Sequence, residues 1–141
     1  ARRVLDAADA RASSGPARID ALHARAELHQ QQGDWAGALP LLQAVVDADP
    51  LNGRALLDLG TAQEALGRES RALIAYEAAA RQEGSAYAAL LKAANLHVRA
   101  LDFDAALTAI ERALAINRSP QLVEFQARVR AMASRGNAVA P

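Results

Sequence analysis

Residues 33–50 read GDWAGALPLLQAVVDADP, and where this stretch returns decides the fold. Its Ala38-Leu39 pair comes back as Ala72-Leu73 and Ala106-Leu107, at an interval of 34 residues each time. Val45 is matched by Ala79 and Ala113, and Trp35 by Phe103 after two intervals. Upstream, Leu22, Leu56 and Leu90 keep the same spacing, as do the small residues Ala26, Gly60 and Ala94. A period of this length marks stacked units that cannot bury their apolar faces alone. Such arrays work through exposed surface, so function is sought there before any buried catalytic centre.

Helix punctuation follows the same rhythm. Asp34, Ser85, Asp102 and Ser119 read as N-caps, and Asp49-Pro50 reads as a cap followed by proline at the first helical position. Gly33 and Gly67 stand where a helix would end in positive φ. The resulting expectation is helices at about residues 2–12, 17–31, 35–48, 52–65, 69–82, 86–99, 103–116 and 120–134. Leu122, Phe125, Val129 and Met132 form one apolar stripe in the last, as a capping helix needs. Residues 135–141 read as a frayed tail. Pro40 falls inside a helix, where a bend is expected.

Composition agrees with an all-α chain. Alanine, leucine and arginine dominate and, like glutamate and glutamine, are good helix formers, while aromatics make up only 4%. The 16 basic and 16 acidic residues cancel, which leaves no global footprint for nucleic acid. There is no cysteine, so disulfides and thiolate metal sites are excluded. No apolar run in the sequence is long enough for a transmembrane helix, so direct membrane insertion is not expected, and the N-terminus shows no signal-peptide core. A start at Ala1 reads as a piece of a longer chain, with the compartment, cytoplasmic or periplasmic, unassigned. Fifteen of the 16 basic residues are arginine, a bias resembling GC-rich bacterial sequences.

These columns resemble the tetratricopeptide repeat. That family's unit has a small residue in its first helix, a glycine turn, alanines in its second helix and often a closing proline. The first unit here reads Leu22, Ala26, Gly33-Asp34-Trp35, Ala38, Leu42, Val45 and Pro50. The second reads Leu56, Leu59-Gly60, Gly67, Ala72, Tyr76, Ala79 and Gly84; the third reads Leu90, Ala94, Phe103, Ala106, Ile110 and Ala113. Leu101 replaces the turn glycine of the third unit, and Arg25 stands in the column of Leu59 and Ala93. The resemblance implies a right-handed α-solenoid. Units would span 17–50, 51–84 and 85–118, with a partial helix or cap at 1–16, a capping helix at 119–134 and a disordered tail at 135–141.

Candidates for chemistry are few. No nucleophile elbow, P-loop, dinucleotide fingerprint or HExxH pattern occurs, so neither catalysis nor a cofactor is expected. His29 and His97 sit two periods apart in equivalent places and read as packing residues. His23 and Glu27 share one helical face, but two ligands without an evident third make no metal site.

In the tetratricopeptide family the first helices line a concave groove that holds a peptide or partner segment. The resemblance therefore implies a groove lined by Asp20, His23, Glu27 and Gln30, then Arg54, Asp58, Thr61 and Glu64, then Lys92, Asn95 and Arg99. It would run from acidic to basic, and Lys92, Asn95 and Arg99 would form a cluster suited to a carboxylate or phosphate. The expected function is a non-catalytic protein–protein interaction scaffold. The alternative is a structural spacer or self-association through repeat ends, within a bacterial envelope, secretion or polysaccharide-export protein. The lysine-asparagine-arginine clamp by which one subfamily grips chaperone tails is not matched.

Overall fold

A computed structural model describes residues 15–138. Seven helices follow one another in this range: α1 (Pro16–Gln31), α2 (Trp35–Ala48), α3 (Gly53–Ala65), α4 (Glu69–Ala80), α5 (Ala86–Arg99), α6 (Phe103–Ile116) and α7 (Pro120–Ala138). Each packs mainly on its neighbours in the chain, most closely as the pairs α1–α2, α3–α4 and α5–α6. The fold is the expected α-solenoid with a helix closing its C-terminal end. The helix expected at 2–12 lies outside the described residues.

Alanine explains the close pairing. Ala26, Ala38, Ala72, Ala94 and Ala106 are all fully buried. At Gly60 the approach is closer still, because a Cβ there would lie 2.4 Å from the Tyr76 ring. A methyl at that point would force the two helices apart, at about 1–3 kcal/mol. Trp35 and Phe103 are partly buried against the cores of the first and third pairs. The core is divided along the axis. Leu42 and Ala62 belong to one cluster, Tyr76 and Leu96 to a second, and Ile110, Leu122 and Val129 to a third.

Turn chemistry departs from expectation in three places. Asp49 closes α2 rather than opening α3: its amide donates to Val45. The residue before a proline is pushed out of the helical region, so α3 starts only after Pro50 and Leu51. Asn52 is its cap, accepting from the Ala55 amide at 3.0 Å. Ser85 does stand at the N-cap position of α5, but its side chain makes no capping bond. Its buried hydroxyl turns back and donates to the Ala79 carbonyl at 2.7 Å. The last helix continues to Ala138, so residues 135–138 are helical and not tail. Each residue added to an existing helix gains a backbone bond, and one glycine (Gly136) costs only about 1 kcal/mol.

Other turns behave as read. Gly33 and Gly67 have φ of 72° and 74°. Leu101, in the equivalent place, adopts φ 60° without being glycine. Asp34, Asp102 and Ser119 accept from the amides of Gly37, Ala105 and Leu122. Pro40 lies exposed inside α2, which runs on through it.

Candidate partner-binding face

The eleven candidate residues fall on α1, α3 and α5, the first helices of the three pairs. Their alignment follows from the repeat, since equivalent faces of successive pairs stack side by side. Two clusters tie these helices together. At one, the His23 ring nitrogen Nε2 lies 2.8 Å from Asp58 Oδ2, and the Arg54 guanidinium pairs with Glu27. At the other, Arg99 donates to Glu64 Oε1 at 2.7 Å, and Tyr76 donates to Glu64 Oε2 at 2.6 Å. Tyr76 also reaches Thr61 Oγ1 at 3.5 Å. Burial, then the bond to Glu64, push the Tyr76 hydroxyl above its ordinary range, so it remains a donor at neutral pH.

Asp20, Gln30, Lys92 and Asn95 make no side-chain hydrogen bond or ion pair with another described residue. The expected cluster of Lys92, Asn95 and Arg99 is therefore divided: Arg99 is held by Glu64, with Glu69 a further 4.0 Å contact. The expected acid-to-base gradient is likewise muted, because Glu27 and Glu64 are both offset by arginines from the first helix of the following pair.

Sequence reasoning treated Tyr76 as core only and missed its hydroxyl. It also missed the cross-helix pairs. Their signal was present: His23–Asp58, Glu64–Arg99 and Glu77–Arg112 are all separated by 35 residues, one more than the period. Complementary groups at that spacing meet across successive pairs.

Beside Asn95, a cleft of about 290 Å³ opens between α5 and α7. Tyr87, Leu91, Leu122 and Phe125 give it apolar walls, and Arg128 stands at 5.8 Å from the Phe125 ring centre. Lys92 lies on α5 between Leu91 and Asn95 and is half-buried. An apolar recess beside donors suits a side chain presented by an extended segment. Among the described residues no helix is long and apolar enough to cross a membrane.

Comparison with known proteins agrees with the fold. Residues 23–89 match the family model of the tetratricopeptide repeat. No curated protein sequence matches the chain. Among solved structures, PcrH of Pseudomonas aeruginosa in complex with the chaperone binding region of PopD is 26% identical, with 88% of this chain and 94% of that one covered and a TM-score of 0.69. The type III secretion chaperone SycD of Yersinia enterocolitica, in complex with a peptide of the translocator YopD, is 21% identical over 86% and 93% of the two chains, with a TM-score of 0.71. The first repeat domain of human RPAP3 is 16% identical over 89% and 100%, with a TM-score of 0.76.

Proposed function

Because this chain carries tetratricopeptide repeats, we propose that it is a non-catalytic scaffold that holds a segment of a partner protein on the face built by α1, α3 and α5. The observation that carries this reading is the likeness to PcrH, which spans nearly all of both chains and whose solved complex holds a region of PopD. On this chain the segment would contact Asp20, His23, Glu27, Gln30, Arg54, Asp58, Thr61, Glu64, Lys92, Asn95 and Arg99. Of the donors offered to it, Gln30, Lys92 and Asn95 have no side-chain partner among the described residues. Arg99, besides its contact with the segment, holds Glu64 in place.

The test uses random peptides displayed on phage and selected on the chain. Lys92→Glu is expected to weaken the selected peptides about tenfold, as the loss of a charge-assisted hydrogen bond would. Arg81→Glu, at the exposed end of α4, should leave their affinity unchanged. Equal losses in both variants, or peptides that bind Lys92→Glu as well as the parent, would overturn the assignment of this face.

A further inference from the structure

We propose that His23, Glu27 and Asp58 form a binding site for a divalent transition-metal ion, with zinc as the best fit. One ligand atom from each of the three lies within 4.8 Å of the other two. His23 and Glu27 stand one turn apart on α1, and the repeat delivers Asp58 from α3. That is the third ligand that neighbouring sequence does not offer. Among the described residues no other trio of histidine and carboxylate side chains comes together this way.

The donor set suits the ion. A neutral imidazole and two carboxylates present two negative charges to a dication, and zinc takes three protein ligands when a fourth position stays open. The imidazole nitrogen disfavours magnesium and calcium, which prefer all-oxygen shells. In the metal-free chain Nε2 carries the proton that it donates to Asp58; the ion replaces that bond, the ring keeps its proton on Nδ1 instead, and Nε2 offers its lone pair to the metal. Tetrahedral zinc with bonds of about 2.0–2.1 Å would hold two ligand atoms about 3.3 Å apart. Nε2 and Asp58 Oδ2 already stand at 2.8 Å, so these two side chains need part by only a fraction of a bond length. The His23 side chain is 11% exposed, while Glu27 and Asp58 are 34% and 25% exposed. The ring thus forms the protected floor and the carboxylates the open rim.

Arg54 is the competitor, since it pairs with Glu27. Its side chain is 69% exposed, and an exposed ion pair contributes at most about 1 kcal/mol, or roughly a fivefold change in binding. The bound ion would fasten α1 to α3. This inference needs no partner protein, so it stands or falls apart from the scaffold reading.

The experiment is titration of the whole chain with zinc chloride in a calorimeter, with cobalt(II) absorption as a second probe. One ion per chain is expected. Its affinity should fall at least tenfold in His23→Gln and in Asp58→Asn, with circular dichroism checking that both variants fold. His29→Gln, at the two-ligand pair with Asp34, should bind as the parent does. Arg54→Gln should bind up to about fivefold more tightly, a gain that misfolding cannot produce. At 100 times the dissociation constant, zinc should raise the melting temperature by roughly 5–10 °C. No binding at about 1 mM zinc, binding undiminished in His23→Gln, or loss that follows His29→Gln instead would overturn the site.

Discussion

At the scale of single residues, the backbone of Leu101 carries a cost that its unit could avoid. Its φ of 60° is one that glycine adopts freely at Gly33 and Gly67, and its side chain is 73% exposed, so little burial offsets the strain. A left-handed conformation costs an L-residue roughly 1–2 kcal/mol, less what glycine gives back to the unfolded chain. Leu101→Gly is therefore expected to stabilise the protein by about 1 kcal/mol, read as a higher midpoint in chemical denaturation. A lower midpoint would mean that Leu101 makes a contact worth more than its strain. The same position shows how much the sequence conveyed. Repeat alignment placed Leu101 in a glycine column, and the structure keeps the glycine conformation there. The tertiary frame overrides the residue's own preference.

At the scale of the helix, the start of α2 joins three residues that the sequence presented separately. Asp34 accepts from Gly37 through one oxygen and faces His29 Nδ1 at 2.8 Å through the other. The Gly37 amide first, and then the His29 ring, hold its carboxyl below the usual carboxylate range. A Cβ at Gly37 would lie 2.2 Å from that carboxylate and 2.7 Å from the ring, so any larger residue would make both side chains shift and loosen the brace. In the third unit the equivalent residue is Ala105, and His97 makes no such bond to Asp102 among the described residues. Asp34→Ala should lower the melting temperature at neutral pH, since it removes the cap on the Gly37 amide. The sign of its pH dependence follows from the lowered folded value. The contribution is present above the unfolded carboxylate value and fades as pH falls through the folded one, so parent and variant should converge in acid. The cap was legible in the sequence. The histidine brace was not, because it depends on how the turn folds back over five residues. Asp49 and the hydroxyl of Ser85 departed from expectation for a related reason: the cap pattern is local, and it put Ser85 at the right position, but the partner of its hydroxyl and the bend at Pro50 answer to the adjacent helix and to the turn.

At the scale of the molecule, the divided core makes the two ends unequal to the middle. The cluster around Ile110 is completed from outside by Leu122 and Val129 of α7. Removing residues 119–141 would expose Leu90 and Ile110 together with their alanine neighbours, and repeat arrays need such covers. The truncated chain is expected to lose several kcal/mol of stability and to self-associate, by analogy with large-to-small core changes of about 2–5 kcal/mol. Light scattering and denaturant unfolding would check this; a monomer of parental stability would remove α7 from its capping role. The solenoid as a whole was readable because every unit states it again. The proposed face was only half readable: the resemblance implied eleven positions for it, but which charges are already engaged by neighbouring helices depends on contacts across units.

The 35-residue interval of those contacts also bears on how the chain can change over generations. Excising residues 51–84 would leave every column of the fold intact, yet it would bring Lys92 to the place of Asp58 opposite His23 and leave Arg99 facing Gln30. The units are thus interchangeable in shape but addressed in charge. Their order is written into the molecule, and a duplication or deletion of one unit would have to rewrite its neighbours before it could settle.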